Sequence, residues 1–192
     1  MRSTRGSAVV ATAFVLGLAA CAGTHPSPSP AANGRSSASE RPTEPFRRHH
    51  VEIREHFDHV DAFAASLPGQ SPEEQRRTMN TVVNFLTEHI APHAADEERV
   101  LYPVVARNDG EGSRVTAVMI HEHRIVERSI EELRREAAQP EPDAARFART
   151  SLHLMGLLYA HFECEEEVLL PVLDRTMTAE QFQREVADRM PH

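Results

Sequence analysis

Two stretches of the sequence place a glutamate four residues after a histidine, His93-x-x-x-Glu97 and His161-x-x-x-Glu165. On a helix that spacing stacks an imidazole and a carboxylate one turn apart on one face, where the two side chains can share a cation. Both stretches continue alike, with Val100-Leu101-Tyr102-Pro103 after the first and Val168-Leu169-Leu170-Pro171 after the second. Each is preceded by another histidine with an apolar residue at i+3, His50 with Ile53 and His123 with Val126, and the two histidines are 43 residues apart in one half and 38 in the other. A two-helix unit used twice would set these groups around a pseudo-twofold axis, which suits two metal ions. Four neutral imidazoles supply four nitrogens and two bridging carboxylates four oxygens, so two ions about 3.5–4 Å apart would have four protein ligands each. Octahedral ions keep open positions, one for a shared oxo or hydroxo group and one for a diatomic or peroxide ligand. The donor set suits Fe or Mn better than a thiolate-seeking ion, while Zn and Cu also bind such sites. Two Fe(II) with two glutamates leave a net positive centre that attracts anionic oxygen ligands.

Helical elements must bring these residues together. Glu44-Pro45 opens a helix predicted to end at Leu67-Pro68-Gly69, and Ser71-Pro72-Glu73-Glu74 caps a second that runs to about Arg107. Ser113 is expected to cap a third helix ending at Ala138, and Asp143 a fourth running to about Asp174. Thr178-Ala-Glu-Gln181 has the form of a capping box for a short fifth. Kinks or early ends are expected at Pro92, Pro103 and Pro171. Four long amphipathic helices joined by short turns pack as an all-α, antiparallel up-down four-helix bundle with a short additional C-terminal helix. Its apolar stripes carry the donors. The first helix reads His50, Ile53, Phe57, Val60, Ala64, Leu67; the second Val83, Leu86, Ile90, His93, Glu97, Val100, Val104. The third reads Ile120, His123, Val126, Ile130, Leu133, and the fourth Leu154, Leu158, His161, Glu165, Val168, Val172.

A single histidine on such a stripe is more often a hydrogen-bonded core residue than a ligand. Two buried glutamates beside four histidines have few inexpensive explanations other than a metal. Several neighbours stay open as alternatives: His49 and His56 share a face with Ile53 and can stand in for His50, and His89, one turn before His93, is either a supporting group or an extra ligand. His121 is expected to point elsewhere, and His59, His153 and His192 to lie on the surface. Glu98, Glu163, Glu166 and Glu167 read as a solvated face from which one member can support the site. Tyr102 either packs or reaches the centre, and Cys164 is a passive thiol or a redox group.

The stretches PHAADEERVLYP and HFECEEEVLLP, with His50 and His123, make the sequence resemble the hemerythrin-like, or HHE cation-binding, domains from about Pro45 to Asp174. The resemblance implies a four-helix bundle around a non-haem di-iron site, with His50, His93, Glu97, His123, His161 and Glu165 as ligands. It also implies oxygen binding, oxygen or nitric oxide sensing, iron handling or repair of iron centres. The oxygen carriers of the family place a second histidine one turn along the third helix, where this chain has Glu127. That departure argues against reversible oxygen carriage of the classical kind. Binding or sensing of O2, NO or peroxide is the first expectation. Iron handling or storage, iron-centre repair, and a di-iron peroxidase or oxidase remain alternatives.

The N-terminal part reads differently. Arg2 and Arg5 precede an apolar run, Ala8 to Ala20, too short to span a bilayer, which makes residues 1–20 an expected signal peptide. Leu18-Ala19-Ala20-Cys21 resembles the lipobox of bacterial lipoproteins, so Cys21 is expected to carry a lipid and hold an exported domain at the cell membrane or outer membrane, facing the periplasm or cell exterior. An ordinary cleaved secretory signal is the alternative. Residues 21–43 form a Ser-, Pro- and Ala-rich tether with an end-to-end distance on the order of 26 Å, and residues 44–192 form the bundle. Loss of Arg2 and Arg5 takes the formal charge from −8 to −10, and no basic stripe offsets it, which argues against nucleic acid as a partner. There is no Lys anywhere, which excludes Schiff-base and P-loop chemistry.

Overall fold

The computed structural model describes residues 41–190, and every regular element among them is a helix. The expected signal peptide, Cys21, His25, most of the tether and His192 lie outside the described residues. Four rods form the bundle: α1 (Glu44–Arg54) with α2 (Phe57–Ser66); α3 (Pro72–Phe85), α4 (Ala91–Asp96) and α5 (Tyr102–Asn108) in line; α6 (Gly112–Ala137); and α7 (Ala144–Cys164) with α8 (Leu170–Thr176). The short α9 (Ala179–Glu185) comes last. Helix α6 packs on α7, α3 and α5, while α2 packs on α7 and α3, so consecutive rods are neighbours. No helix among the described residues is long and apolar enough to cross a membrane.

Local chemistry accounts for most of the boundaries. Ser71 Oγ accepts from the Glu74 amide while Glu74 accepts from the Ser71 amide, and Pro72 supplies the fixed φ of the first turn. Asp143 Oδ1 accepts from the Arg146 amide at 2.9 Å, and Thr178 and Gln181 close the same box at α9. Ser113 does not cap the third rod: α6 begins one residue earlier, at Gly112, after an N-cap Glu111 without a side-chain bond. Gly112 is needed there because a Cβ would stand 2.8 Å from the Val105 carbonyl oxygen, where the start of α6 meets α5.

The first rod is not one continuous helix. It tightens at residues 55–56, where the His56 amide donates to the Ile53 carbonyl three residues back. The expected disturbances at proline take the form of wide π turns at 86–90, 97–101 and 165–169, each ending shortly before Pro92, Pro103 or Pro171. Proline has no amide hydrogen and its ring crowds the carbonyl four residues back, and an i→i+5 turn relieves both without ending the rod. The last of these turns corrects the fourth stripe. Val168, expected inside, is 47% exposed, and Leu169 and Leu170 are buried in its place, while Val172 returns to the interior.

Two apolar clusters fill the bundle. One contains Ile53, Ile90, Val126, Leu158 and Phe162; the other contains Phe46, Val100, Met119 and Leu169, together with Phe182, Val186 and Met190 from the C-terminal segment. On every rod at least one of the polar residues falls between members of the two clusters: His50 between Phe46 and Ile53, His93 and Glu97 between Ile90 and Val100, His123 between Met119 and Val126, Glu165 between Phe162 and Leu169. A layer of ionisable groups thus interrupts an otherwise apolar interior.

Candidate metal centre

All six donors expected from the repeat are buried and point at one another. His93 Nε2 stands 2.7 Å from Glu97 Oε1, as the i, i+4 spacing requires, and 3.2 Å from His50 Nε2. His50 Nε2 is also 3.5 Å from Glu165 Oε2 and 3.6 Å from Glu97 Oε1. On the other side His123 Nε2 lies 3.3 Å from Glu97 Oε2 and 3.0 Å from His161 Nε2, which is 3.7 Å from Glu165 Oε1. The donor atoms fall into two groups, His50, His93, Glu97, Glu165 and Glu97, His123, His161, each within 4.8 Å. Glu97 belongs to both, and the oxygens of Glu165 face both, so the two carboxylates connect two sets of paired imidazoles.

The outward edges of three rings explain why the inner nitrogens converge. His50 Nδ1 faces Glu166 Oε1 at 3.1 Å, His123 Nδ1 faces Glu98 Oε1 at 3.1 Å, and His161 Nδ1 faces Glu122 Oε2 at 2.8 Å. An ionised carboxylate only accepts, so each Nδ1 carries the proton and donates it outward, which leaves the Nε2 lone pair for the interior. Aromatic rings wall the site. Phe162 stacks on His50 with centroids 4.2 Å apart, and Phe46 meets the same ring edge-on at 4.5 Å. A very small internal cavity adjoins His93, Glu97, His123 and His161, and its remaining wall is apolar, from Ile90, Val126, Leu158 and Phe162 among others.

The sequence left Tyr102 between packing and site, and the structure places it in the site. Its hydroxyl donates to Glu165 Oε1 at 2.7 Å and stands 3.3 and 3.4 Å from His123 and His161 Nε2. Glu98 and Glu166, read as solvated, support rings instead; the repeat held the signal, since each directly follows a glutamate of the cluster. Glu122 was missed, although it immediately precedes His123. His49 lies beside His93, ring centroids 5.1 Å apart, and is not part of the convergent set. His56 and His89 are exposed and stack on each other at 6.2 Å. Glu127, 58% exposed, pairs with Arg124 at 3.7 Å. His59, His121 and His153 are on the surface, as expected. Cys164 is half-buried, and burial together with Glu122 raises its thiol pKa, which disfavours a reactive thiolate.

Burial and close approach shift the groups of the cluster in opposite directions. Burial pushes the Glu97 carboxyl up, yet His93, His123 and His50 outweigh it and hold Glu97 well below the ordinary carboxylate range. Glu165 goes the other way, raised well above that range by burial and by the negative charge of Glu97 despite the Tyr102 hydroxyl. Burial also drives the Tyr102 phenol far up, reinforced by Glu97 and Glu165. His123 opposes its burial through Glu97 and Glu98 and is raised, whereas burial dominates at His161 and lowers it. With the inner Nε2 atoms unprotonated, both oxygens of Glu97 and Oε2 of Glu165 are buried without a hydrogen-bond donor. Three such oxygens inside a shell of inward-facing imidazole lone pairs fit a metal centre, because cations supply the missing partners.

A sequence model of the family described as the hemerythrin HHE cation binding domain matches residues 41–173. No curated protein and no solved structure gives a significant match.

Proposed function

Since the chain belongs to the hemerythrin HHE cation-binding family, we propose that it is a non-haem di-iron protein that binds or senses O2, NO or peroxide. The supporting observation is the set of three donor-less carboxylate oxygens, on Glu97 and Glu165, facing four imidazole Nε2 atoms. His50, His93, His123 and His161 would hold two iron ions through Nε2, with Glu97 and Glu165 shared between them; Mn and Zn are the other ions this donor set accepts. The pair, with an oxo or hydroxo bridge, would supply open coordination positions and electrons for a small ligand. Glu98, Glu122 and Glu166 fix the rings by accepting their Nδ1 protons, and Tyr102 holds a proton at its hydroxyl 2.7 Å from Glu165 Oε1. Phe46 and Phe162 exclude water from the His50 side. The very small apolar-walled cavity beside Glu97 favours a diatomic ligand or peroxide over an organic substrate.

The same proposal places the domain outside the cytoplasm, tethered through a lipidated Cys21. Its support is the charged start, short apolar run and Leu-Ala-Ala-Cys of residues 1–21.

Stopped-flow spectroscopy of the iron-loaded protein tests the ligand reading. A spectral change with O2 or NO that reverses when the gas is removed is the expected result. Sustained consumption of peroxide would make the protein an enzyme, and release of iron to an acceptor would make it an iron-handling protein; either overturns the binding reading.

A further inference from the structure

Outside the cage, one flank of the first half forms a cavity of about 150 Å³. Its floor is His93, and its walls include His49 from α1 and Glu88 and His89 from the wide turn 86–90. Glu88 and His89 are exposed and His49 is half-buried, so the groups step inward from solvent to a residue of the central cluster. Glu52 adds an acidic oxygen 3.8 Å from His49 Nδ1, while Asp96, at the far wall, is neutralised by Arg99. The second half has no equivalent. Aligning His50 with His123 and His93 with His161 puts Glu122, Gly156 and Leu157 at the positions of His49, Glu88 and His89. Glu122 is engaged by His161, and α7 runs unbroken where the first half has the wide turn 86–90. The imidazole and carboxylate groups at this cavity are therefore not explained by the duplicated frame that accounts for the cage.

We propose that this cavity is a loading site for divalent first-row metal ions, such as ferrous iron, in which Glu88, His89 and His49 capture a cation from solvent and deliver it to His93. The proposal rests on the dinuclear reading of the cage and assigns these three residues to its filling, not to its occupied state. Imidazole and carboxylate are the same donor types that the cage uses, so an ion moves between like ligands without a change of preference. An acidic rim also raises the local cation concentration, which increases an association rate while leaving the final site untouched.

Anaerobic stopped-flow mixing of the metal-free full-length chain with Co(II), followed by visible absorption and elemental analysis of the desalted product, tests this. The double variant Glu88→Gln/His89→Gln alters only exposed groups, and uptake is expected to slow by about tenfold with the final cobalt content equal to that of the unaltered chain. His49→Ala should slow it likewise, and His59→Ala should match the unaltered chain. An undiminished rate in the double variant would overturn the proposal, as would a lower final cobalt content, which would make these residues supports of the cage. If the unaltered chain takes up no cobalt at all, the dinuclear reading itself fails, a result distinct from either.

Discussion

The two halves of the bundle agree where the frame is concerned and disagree in what surrounds it. The first histidine of each half is oriented by a glutamate of the other, His50 by Glu166 and His123 by Glu98, both at 3.1 Å, so the support is reciprocal. The second histidines differ: His161 has the carboxylate of Glu122 at 2.8 Å, whereas the matching residue beside His93 is the imidazole of His49. The glutamates differ as well. Tyr102 directs its hydroxyl at Glu165, and its counterpart Leu170 has nothing to offer Glu97. Despite that bond, Glu165 is the carboxyl raised above the ordinary range, by burial and by the charge of Glu97, while the imidazoles around Glu97 hold it below that range. Duplication therefore specifies where the clustered side chains stand, and residues present in only one copy decide how each is supported and approached.

The largest effect should come from the residue that both groups share. Glu97→Ala removes a donor from each set of histidines, and on the proposed dinuclear reading metal content after loading is expected to fall from two ions per chain to near none. His93→Ala and Glu165→Ala should each lower it, and His59→Ala should leave it unchanged. Elemental analysis gives the numbers, and a Glu97→Ala protein that keeps its metal would show that the two groups do not share this carboxylate.

A smaller effect comes from the opposite shifts of the two glutamates. A raised carboxyl stabilises the fold below its unfolded pKa and loses that contribution as pH rises through the folded value, so Glu165 weakens the metal-free protein toward alkaline pH. The depressed Glu97 has the reverse sign, contributing above its unfolded pKa and losing that contribution as pH falls through the folded value. Metal-free Glu165→Gln should then melt higher than the unaltered metal-free chain at about pH 8, by a few degrees, and the difference should shrink toward about pH 5. Thermal melts at the two pH values check this; a difference that grows on acidification would mean that the roles of the two glutamates are exchanged.

The features legible in the sequence were those that recur at fixed spacing. All seven residues of the second stripe, Val83 through Val104, are buried, and the caps at Ser71, Asp143 and Thr178 form as expected because they depend on residues three apart. The choice of His50 over His49 or His56 needed the rod's rotation relative to its neighbours. Tyr102 and Glu122 depend on distances between rods, which spacing along one helix does not contain. The wide turns were visible only as prolines.

A pair of valines supplies the finest comparison. Val100 and Val168 occupy equivalent places in the repeat, each in a wide turn three residues after the clustered glutamate, yet Val100 is 1% exposed and Val168 47%. Val100 belongs to the apolar cluster that also holds Phe182, Val186 and Met190, so the C-terminal segment fills the space on its side, while in the fourth rod that inward role passes to Leu169. Truncating a buried valine removes its transfer free energy and leaves a cavity, so Val100→Ala should cost about 1–2.5 kcal/mol of stability in urea titrations. Val168→Ala should stay within about 0.5 kcal/mol. Equal costs would mean that the C-terminal segment does not shield Val100, and the repeat would then be closer to symmetric than its side chains indicate.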